Sequence, residues 1–397
     1  MASDGPVITC IEFTRFNIQL ENLSSDASGM GIAYRPGAGD PMERFAVRVH
    51  TDEGIVGEYV PNRARAPVIV PASTALAYGL IGQPALAREH HYQRMRRATK
   101  HVGEVGIGAL DIALWDLAGK YLGVPVYQML GGFRKVLPAY ASTLAGDRQP
   151  DGLSSPEAYA DFARQCVDMG YPGYKLHGWH EGDPQAEISL LRAVRDEVGY
   201  EVDLMYDAAC NLKTFADAVR VGRVCDELDF MWYEDPFADG GVSINAHLRL
   251  KRLIRTPLLI SEHVRNAEAT VDMMVAGATD FARVDPDYDG GITGSMKVAQ
   301  AAETLGMDYE VHSCGPAMRH VMAAMQNSNY YEINLLHPRL KNAWHLPVYA
   351  CDYSDDLDCI DADGNVPVPD GNGLGVNYDW EQIEYSKFDT VTIGRRA

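Results

Sequence analysis

The chain has 397 residues, of which 46% are hydrophobic and 23% are charged, and this length accommodates a barrel of ordinary size together with a second domain. Its formal net charge of -20 at pH 7 argues against nucleic-acid binding, which requires basic patches that displace counterions. An acidic chain that binds a small anion must instead build a local positive site, from a metal ion and a few basic side chains.

The first 60 residues are predicted to form strands. Residues 7–13 lead, and residues 44–50 alternate apolar with polar side chains. The turn signal Thr-Asp-Glu-Gly at 51–54 lets residues 55–60 pair back as a hairpin. Between these strands, residues 20–42 are rich in Gly, Ser, Asp and Pro, and so long a loop in a compact domain is usually a lid or disordered.

From residue 67 to residue 122 the pattern becomes helical. Residues 106–120 place apolar side chains at helical spacing, and the small residues among them favour close packing against another element. Gly123-Val124-Pro125 ends this helix, and Gly131-Gly132 marks a boundary near residues 131–136.

Beyond that boundary, strands and helices alternate, starting with a predicted strand at 137–143. Helices are predicted at about 155–169, 184–198, 213–226, 242–255, 266–276, 293–305 and 316–327. This alternation indicates a parallel sheet, and eight strands indicate closure into a barrel. The tail from about residue 349 is rich in Asp, Gly and Pro, and we expect it to leave the barrel and pack on the N-terminal domain, with a late strand at 390–392.

Chemically capable residues recur at the ends of the short apolar runs of this region. Successive ends lie about 20 to 30 residues apart, which is the length of one strand, one helix and two short loops. The C-terminal strand ends of a (β/α) barrel converge on one mouth, where the chemistry occurs. The residues concerned are Lys175, His177, Asp207, Glu234, Glu262, Asp285, His312 and Glu332.

Three of these residues are the sharpest signal. Asp207, Glu234 and Glu262 are expected to end the third, fourth and fifth barrel strands, which are neighbours. Converging carboxylates repel one another and are costly to bury unless a cation neutralises them. Oxygen ligands suit a hard divalent ion, and Mg²⁺ takes few protein ligands while leaving positions for water and substrate. One such residue alone is as readily a solvated group at a strand–loop junction, but three in register predict a magnesium site.

His312 and Asp285 are the second signal, at the ends of the predicted seventh and sixth strands. A carboxylate that accepts the Nδ1–H of a histidine fixes its tautomer, so this pair can act as a general base and then as a general acid.

Lys175 and His177 are two residues apart on one strand and are expected to face the barrel interior. The Lys either balances a substrate carboxylate or acts as a base with a lowered pKa. Glu332, at the end of the eighth strand, is predicted to hydrogen-bond a substrate carboxylate if protonated, or to position a hydroxyl.

These residues resemble the enolase superfamily, and within it the mandelate racemase group of the acid-sugar dehydratase type. The resemblance covers nearly the whole chain. The helix at 109–120 is similar to that family's linker into the barrel, and the three carboxylates match its metal ligands. Asp285 and His312 match its catalytic dyad, and Glu332 matches the carboxylate-binding acid on its eighth strand.

The resemblance implies an α/β fold, a modified (β/α)₇β TIM barrel with an α+β capping domain built from both chain ends. The expected boundaries are residues 1–135 for the N-terminal capping domain, 136–355 for the barrel and 356–397 for the C-terminal segment that returns to the capping domain. The resemblance also implies Mg²⁺ and abstraction of the proton α to a carboxylate, with the metal spreading the developing negative charge.

The second barrel strand departs from the group's usual Lys-x-Lys motif, because the chain has Lys175-Leu176-His177. Lys175 keeps the position that neutralises the substrate carboxylate, and His177 occupies the position of a base. Two interpretations stay open: His177 moves a proton on the face opposite His312, or it only orients a substrate hydroxyl. The His312–Asp285 dyad is favoured as the principal base.

The function implied by the resemblance is that of a Mg²⁺-dependent acid-sugar dehydratase, a hydro-lyase that releases a 2-keto-3-deoxy sugar acid. The alternative is a racemase or epimerase of a 2-hydroxy acid, which bases on both faces permit, and loss of a β-hydroxyl distinguishes the two. A cycloisomerase or dipeptide epimerase is disfavoured, because those relatives carry Lys where this chain has Asp285. A non-catalytic protein that binds a metal or a sugar acid is the hypothesis from another class.

Loop residues are expected to determine which substrate binds. Each polar residue of these loops is as readily an ordinary solvated side chain. Tyr34 and Arg35 are the predicted substrate contacts, and the further candidates are Ser24, Ser25, Arg63, Arg65, His180, His337, Arg339, Trp344 and His345.

Seven scattered cysteines without a C-x-x-C pair indicate reduced thiols. The N-terminus has no secretory pattern and no run of 18 apolar residues occurs, so a cytoplasmic protein without a membrane partner is expected. An even-numbered homo-oligomer is expected from the resemblance.

Overall fold

The computed structural model describes residues 5–25, 31–340, 342–343 and 346–396. Its first strands are β1 (Ile8–Gln19), β2 (Leu23–Ser25), β3 (Ile32–Tyr34), β4 (Pro41–Thr51) and β5 (Val56–Tyr59). The long strands β1, β4 and β5 form an antiparallel sheet in that order, which confirms the three predicted strands. The segment predicted as one loop contains an antiparallel hairpin of β2 and β3, because Leu23 and Tyr34 pair across it and are both buried.

The helices that follow are α1 (Ala66–Ala77), α2 (Arg88–Thr99), α3 (Ile107–Leu122) and α4 (Val126–Met129). Helix α3 is nearly buried all round, and it ends at Gly123, whose φ of 71° is left-handed. Glycines let it approach its neighbours closely. A Cβ on Gly57 of β5 would lie 2.2 Å from the Ala113 carbonyl oxygen, and a Cβ on Gly108 would lie 2.4 Å from that of Asp287. The helix therefore packs between the N-terminal sheet and the barrel.

The barrel strands are β6 (Val136–Thr143), β7 (Gly173–His177), β8 (Asp203–Asp207), β9 (Trp232–Glu234), β10 (Leu258–Ile260), β11 (Phe281–Val284), β12 (Asp308–Val311) and β13 (Tyr331–Leu336). The helices between them are α5 (Pro156–Asp168), α6 (Pro184–Val198), α7 (Phe215–Glu227), α8 (Ile244–Leu250), α9 (Ala267–Val275), α10 (Gly291–Thr304) and α11 (Pro316–Ala324). The strands pair in parallel in the order β12-β11-β10-β9-β8-β7-β6-β13. Hydrogen bonds to side chains connect the two outermost strands of this order, β12 and β13. For example, the Ser313 N–H, just beyond β12, donates to Glu332 Oε2 of β13 at 2.7 Å. The predicted (β/α)₇β barrel is thereby confirmed.

The tail contains β14 (Asn365–Pro367), α12 (Trp380–Ser386) and β15 (Lys387–Gly394). Strand β14 pairs antiparallel with β6, and β15 pairs antiparallel with β1, so the tail returns to the N-terminal sheet. The predicted domain boundaries at 135/136 and 355/356 stay predictions. Within the described ranges, none of the helices has the length and apolar character that crossing a membrane requires.

The lower barrel interior is filled by what we call the apolar layer, which consists of Tyr140, Met205, Trp232 and Leu259. All four side chains are fully buried, and the Tyr140 and Trp232 rings meet edge to face with centroids 5.7 Å apart. Successive inward-facing residues of a strand are two apart. The next inward residues toward the carboxyl ends of β8 and β9 are therefore Asp207 and Glu234, and the site begins there.

Candidate active site

Asp207, Glu234 and Glu262 come together at the carboxyl ends of three neighbouring strands. Asp207 and Glu234 are the last residues of β8 and β9, and Glu262 lies two residues beyond β10. One oxygen of each lies within 4.8 Å of the others. The Ala209 N–H donates to Asp207 Oδ1 at 2.7 Å and fixes that carboxylate. This oxygen-only set fits a hard divalent ion such as Mg²⁺.

Burial and neighbouring charges shift the pKa values of Glu234 and Asp207 in opposite directions. Burial raises the pKa of Glu234 to about 8 against the effect of Arg283, and Asp207 adds to the rise. Burial would also raise the pKa of Asp207, but His177 and Lys175 hold it well below its usual range. A divalent cation between the carboxylates would favour the ionised form of all three.

Lys175 lies beneath the three carboxylates. Its Nζ is 2.9 Å from Glu234 Oε2, 3.4 Å from Asp207 Oδ2 and 3.0 Å from Glu332 Oε1. Burial lowers the pKa of Lys175, but Glu234 and Glu332 outweigh it and raise the pKa well above its ordinary value. These ion pairs favour the ammonium form of Lys175, and its role as a base or as the partner of a substrate carboxylate stays a prediction.

Arg283 is a member of the site that the sequence interpretation missed. Its Nε lies 3.1 Å from Glu234 Oε1 and its Nη2 lies 2.7 Å from Glu332 Oε2. The signal in the sequence is its position two residues before Asp285 in the same apolar run, because residues two apart along an extended chain face the same side. Lys175, Asp207, Glu234, Arg283 and Glu332 together form what we call the charged layer.

The position of Glu332 differs from the prediction. It is the second residue of β13 and not its last, because β13 continues to Leu336 while it pairs with β6. Burial would raise the pKa of Glu332, but Lys175 and Arg283 hold it well below its usual range. These cations favour the ionised form of Glu332 within the charged layer, and its predicted contact with a substrate carboxylate or hydroxyl stays a prediction.

The predicted dyad is assembled just beyond β11 and β12. The His312 ring donates its Nδ1–H to Asp285 Oδ2 at 2.7 Å, and the Asp287 N–H donates to the other oxygen of Asp285 at 2.9 Å. His312 Nε2 then faces the candidate metal ligands, 3.2 Å from Glu262 Oε1 and 3.3 Å from Arg63 Nη1. This arrangement can fix the His312 tautomer and leave Nε2 for proton transfer.

His177 lies on the other side of the three carboxylates, at the end of β7. A carbonyl oxygen only accepts, so the ring Nδ1–H donates to Thr143 O at 2.7 Å. The opposite nitrogen, Nε2, lies 2.9 Å from Asp207 Oδ2. The ring is thereby held against a candidate metal ligand, and its role in proton transfer or in orientation stays a prediction.

A cavity of about 400 Å³ opens above the carboxylates. His177 and His312 line it from opposite strands, and Arg63, Arg65 and His180 add basic groups to its wall. These are the basic groups that binding of a small anion to an acidic chain needs, and they share the wall with the carboxylates of Asp207, Asp235 and Glu262.

The predicted contacts Tyr34 and Arg35 lie elsewhere. Tyr34 packs on His337, with ring centroids 4.1 Å apart, and lines a separate cavity with Arg339. Tyr34 is at the base of the β2–β3 hairpin and Arg35 is exposed beyond it, whereas Ile32, nearer the tip, lines the cavity above the carboxylates. Neither Tyr34 nor Arg35 lines the cavity above the carboxylates, and their contact with a substrate stays a prediction. The candidates Trp344 and His345 lie outside the described residues.

Comparisons with known proteins agree with this geometry. Residues 158–383 match the family described as enolase C-terminal domain-like, and residues 42–131 match the mandelate racemase / muconate lactonizing enzyme N-terminal domain. An arabinonate dehydratase of Saccharolobus solfataricus is 28% identical over 359 residues, which cover 87% of this chain and 90% of that protein. A D-gluconate dehydratase of Thermoproteus tenax is 28% identical over 350 residues, which cover 83% of this chain and 67% of that protein. The crystal structure of D-glucarate dehydratase from Agrobacterium tumefaciens complexed with magnesium has a TM-score of 0.86 and 31% identity, covering 96% of this chain and 99% of that one.

Proposed function

Because the chain belongs to the enolase superfamily, in its mandelate racemase / muconate lactonizing enzyme group, we propose that it is a magnesium-dependent acid-sugar dehydratase. The observation that carries the proposal is the position of the dyad against the metal ligands, with His312 Nε2 3.2 Å from Glu262 Oε1. A base in this position reaches the α carbon of a carboxylate bound at the three acidic residues. The names of the relatives, which are arabinonate, D-gluconate and D-glucarate dehydratases, support the same reaction class.

His312 is the proposed general base. Its Nε2 takes the α proton, and Asp285, bonded to Nδ1 at 2.7 Å, stabilises the imidazolium that forms. The same protonated ring is then the acid that can deliver its proton to the departing β-hydroxyl. Mg²⁺ held by Asp207, Glu234 and Glu262 would supply the positive charge that makes the α proton removable.

The remaining residues of the charged layer hold this arrangement. Lys175 and Arg283 offset the negative charge of Glu234 and Glu332 through ion pairs of 2.7 to 3.1 Å. Glu332 forms ion pairs with both Lys175 and Arg283 and is proposed to fix their positions. Lys175 remains the proposed partner of the substrate carboxylate, since its ammonium is 3.4 Å from the metal ligand Asp207.

The substrate class follows from the cavity wall. A cavity of about 400 Å³ is in the range that takes a small ligand. Arg63, Arg65 and His180 add three basic groups to its wall, so a sugar diacid, with a second anionic end, is expected to bind better than a monoacid. Self-association into an even-numbered homo-oligomer stays a prediction.

A racemase or epimerase of a 2-hydroxy acid is the second candidate. The observation that favours it is the placement of His177 and His312 on strands at opposite sides of the three carboxylates, so that each ring faces a different ligand. Two such bases can remove a proton from one face and return it to the other.

The test is to incubate the purified protein and Mg²⁺ with D-glucarate, galactarate, D-gluconate and D-arabinonate, and to detect 2-keto acids with semicarbazide. The dehydratase proposal predicts a keto acid from at least one of these compounds, and its loss after chelation or in His312→Asn. Deuterium entering the α carbon in D₂O without any keto acid would establish the racemase instead. Binding of an acid without either signal would contradict both enzymatic proposals.

A further inference from the structure

A second group of ligand-type side chains lies beside the carboxylate site. Cys210, Asp235 and His263 each offer one ligand atom within 4.8 Å of the others. His263 Nε2 lies 3.2 Å from Asp235 Oδ2. We propose that these three residues form a second, softer metal site that binds Zn²⁺. The proposal concerns metal binding alone and does not rest on the proposed function.

The ligand types distinguish this group from the carboxylate site. A thiolate, an imidazole and a carboxylate are the side chains that bind Zn²⁺ in proteins, whereas an oxygen-only set suits Mg²⁺. In tetrahedral coordination, Zn–N and Zn–O bonds of about 2.1 Å place the two ligand atoms roughly 3.3 to 3.5 Å apart. The distance of 3.2 Å between the His263 and Asp235 atoms is close to that separation.

The backbone holds the three ligands in place. The Cys210 N–H donates to the Asp235 carbonyl oxygen at 2.9 Å, which ties the loop after β8 to the end of β9. His263 directly follows Glu262, in a turn where the Val264 N–H donates to Ser261 O at 3.0 Å. Each ligand therefore comes from a different barrel strand end.

Asp235 has an unsatisfied acceptor. The residue is only 2% exposed, and its Oδ1 has no hydrogen-bond partner among the residues that the structure describes. A buried carboxylate oxygen without a partner is costly, and a cation bound at this carboxylate would reduce that cost.

The site is accessible and the charges allow two ions. Asp235 and His263 line the cavity above the carboxylates, so a metal ion can enter, and a three-ligand zinc site keeps an open position. Glu262 Oε1 lies 3.9 Å from His263 Nε2, which makes the two sites neighbours. Metal pairs at roughly 3.5 to 4 Å occur in enzymes where carboxylates offset their charge. Here four carboxylates, Asp207, Glu234, Glu262 and Asp235, surround the pair of sites.

The experiment measures metal binding in excess Mg²⁺, which competes for the oxygen site. Co²⁺ is added as a spectroscopic probe, and Zn²⁺ uptake is measured by equilibrium dialysis and elemental analysis. The variants are Cys210→Ser and His263→Gln, and Cys351→Ser is the matched control, because Cys351 is also partly exposed but lies in the tail. Near-ultraviolet circular dichroism confirms that each variant is folded.

The proposal predicts one Zn²⁺ per chain and a thiolate-to-cobalt charge-transfer band in the unmodified protein and in Cys351→Ser. Cys210→Ser loses the band, and both site variants bind Zn²⁺ more weakly by at least about tenfold. The proposal is overturned if the unmodified protein shows no such band or takes up no Zn²⁺. It is equally overturned if folded Cys210→Ser binds Zn²⁺ as tightly as the control, since the ion would then occupy the carboxylate site.

Discussion

The barrel interior holds two layers that differ in chemistry although their members lie only two residues apart on β8 and β9. On β9, Trp232 packs in the apolar layer and Glu234 lies in the charged layer. On β8, Met205 and Asp207 repeat the contrast. Both layers are almost completely buried, so burial does not separate them.

The difference between the layers lies in what each residue can pair with. The apolar layer needs only complementary shape, whereas every charge of the other layer requires an opposite charge or a cation. Through Asp207 and Glu234, the charged layer also reaches the carboxyl ends of the strands, which is the position where barrel enzymes place their chemistry. The layers should therefore respond differently to mutation, one in stability and the other in function.

The largest effect is expected at the dyad. His312→Asn removes the proposed base while it preserves a similar volume, so formation of 2-keto acid should fall by roughly 10² to 10⁴-fold. The rate is measured with the best acid sugar under saturating Mg²⁺. The exposed residue His90 provides the control, since His90→Asn should retain the full rate. An unchanged rate in His312→Asn would contradict the assignment of His312 as the general base.

The apolar layer should show the next effect, in stability. Trp232 is fully buried and its ring packs on Tyr140, so Trp232→Ala should lower the free energy of unfolding by about 3 to 5 kcal/mol. The measurement is urea unfolding followed by circular dichroism. Trp232→Phe, which keeps an aromatic ring in the layer, should lose less. A loss below about 1 kcal/mol in Trp232→Ala would show that this layer does not carry the packing assigned to it.

Metal addition should affect the charged layer at a smaller magnitude. A ligand that binds only the folded state at 100 times its dissociation constant raises the free energy of unfolding by about 2.7 kcal/mol. Mg²⁺ at that concentration should stabilise the unmodified protein and Trp232→Phe by this amount. Asp207→Asn, which lacks one of the three carboxylates, should lose most of the response. Equal stabilisation of Asp207→Asn would place the ion elsewhere.

The smallest effect is expected at a buried polar group outside both layers. His320 of α11 accepts the Tyr127 N–H at Nδ1 and donates Nε2–H to Leu374 O, so it is neutral and ties α4 and the tail to the barrel. Burial lowers its pKa to about 4. Between that pKa and the unfolded value of about 6.5, the unfolded chain binds a proton that the folded chain does not, so stability falls as the pH falls.

At pH 5 this linkage should lower the free energy of unfolding by about 2 kcal/mol relative to pH 8. The measurement compares urea unfolding of the unmodified protein and of His320→Gln at both pH values. The variant should lose about that much of the difference between pH 8 and pH 5. The same difference in both proteins would show that other groups carry the acid sensitivity.

Much of the fold follows from sequence periodicity. The helix predicted at 184–198 is α6 itself, and the runs that end in His177, Asp207 and Glu234 are strands that end at those residues. The pairing of strands in the folded barrel determines residue positions that sequence periodicity alone does not predict. Glu332 is at the start of its strand because β13 continues along β6, and this places it below the mouth.

The missed members of the site have the same explanation. Arg283 stands inside an apolar run, and only the assembled barrel shows that its guanidinium bridges Glu234 and Glu332. Tyr34 is a predicted substrate contact, but the β2–β3 pairing places Ile32 nearer the cavity. Residue type alone therefore identified the strand-end groups better than it identified their neighbours in space.

The most direct test of the central claim is proton NMR in D₂O with the acid sugar that gives the highest rate, comparing the unmodified protein with His312→Asn under saturating Mg²⁺. The dehydratase proposal predicts that the α-proton signal disappears as the 2-keto-3-deoxy product appears with the unmodified protein, whereas the signal stays intact with His312→Asn. Product formation at the full rate by His312→Asn, or consumption of the acid with its α proton retained, would contradict the proposal.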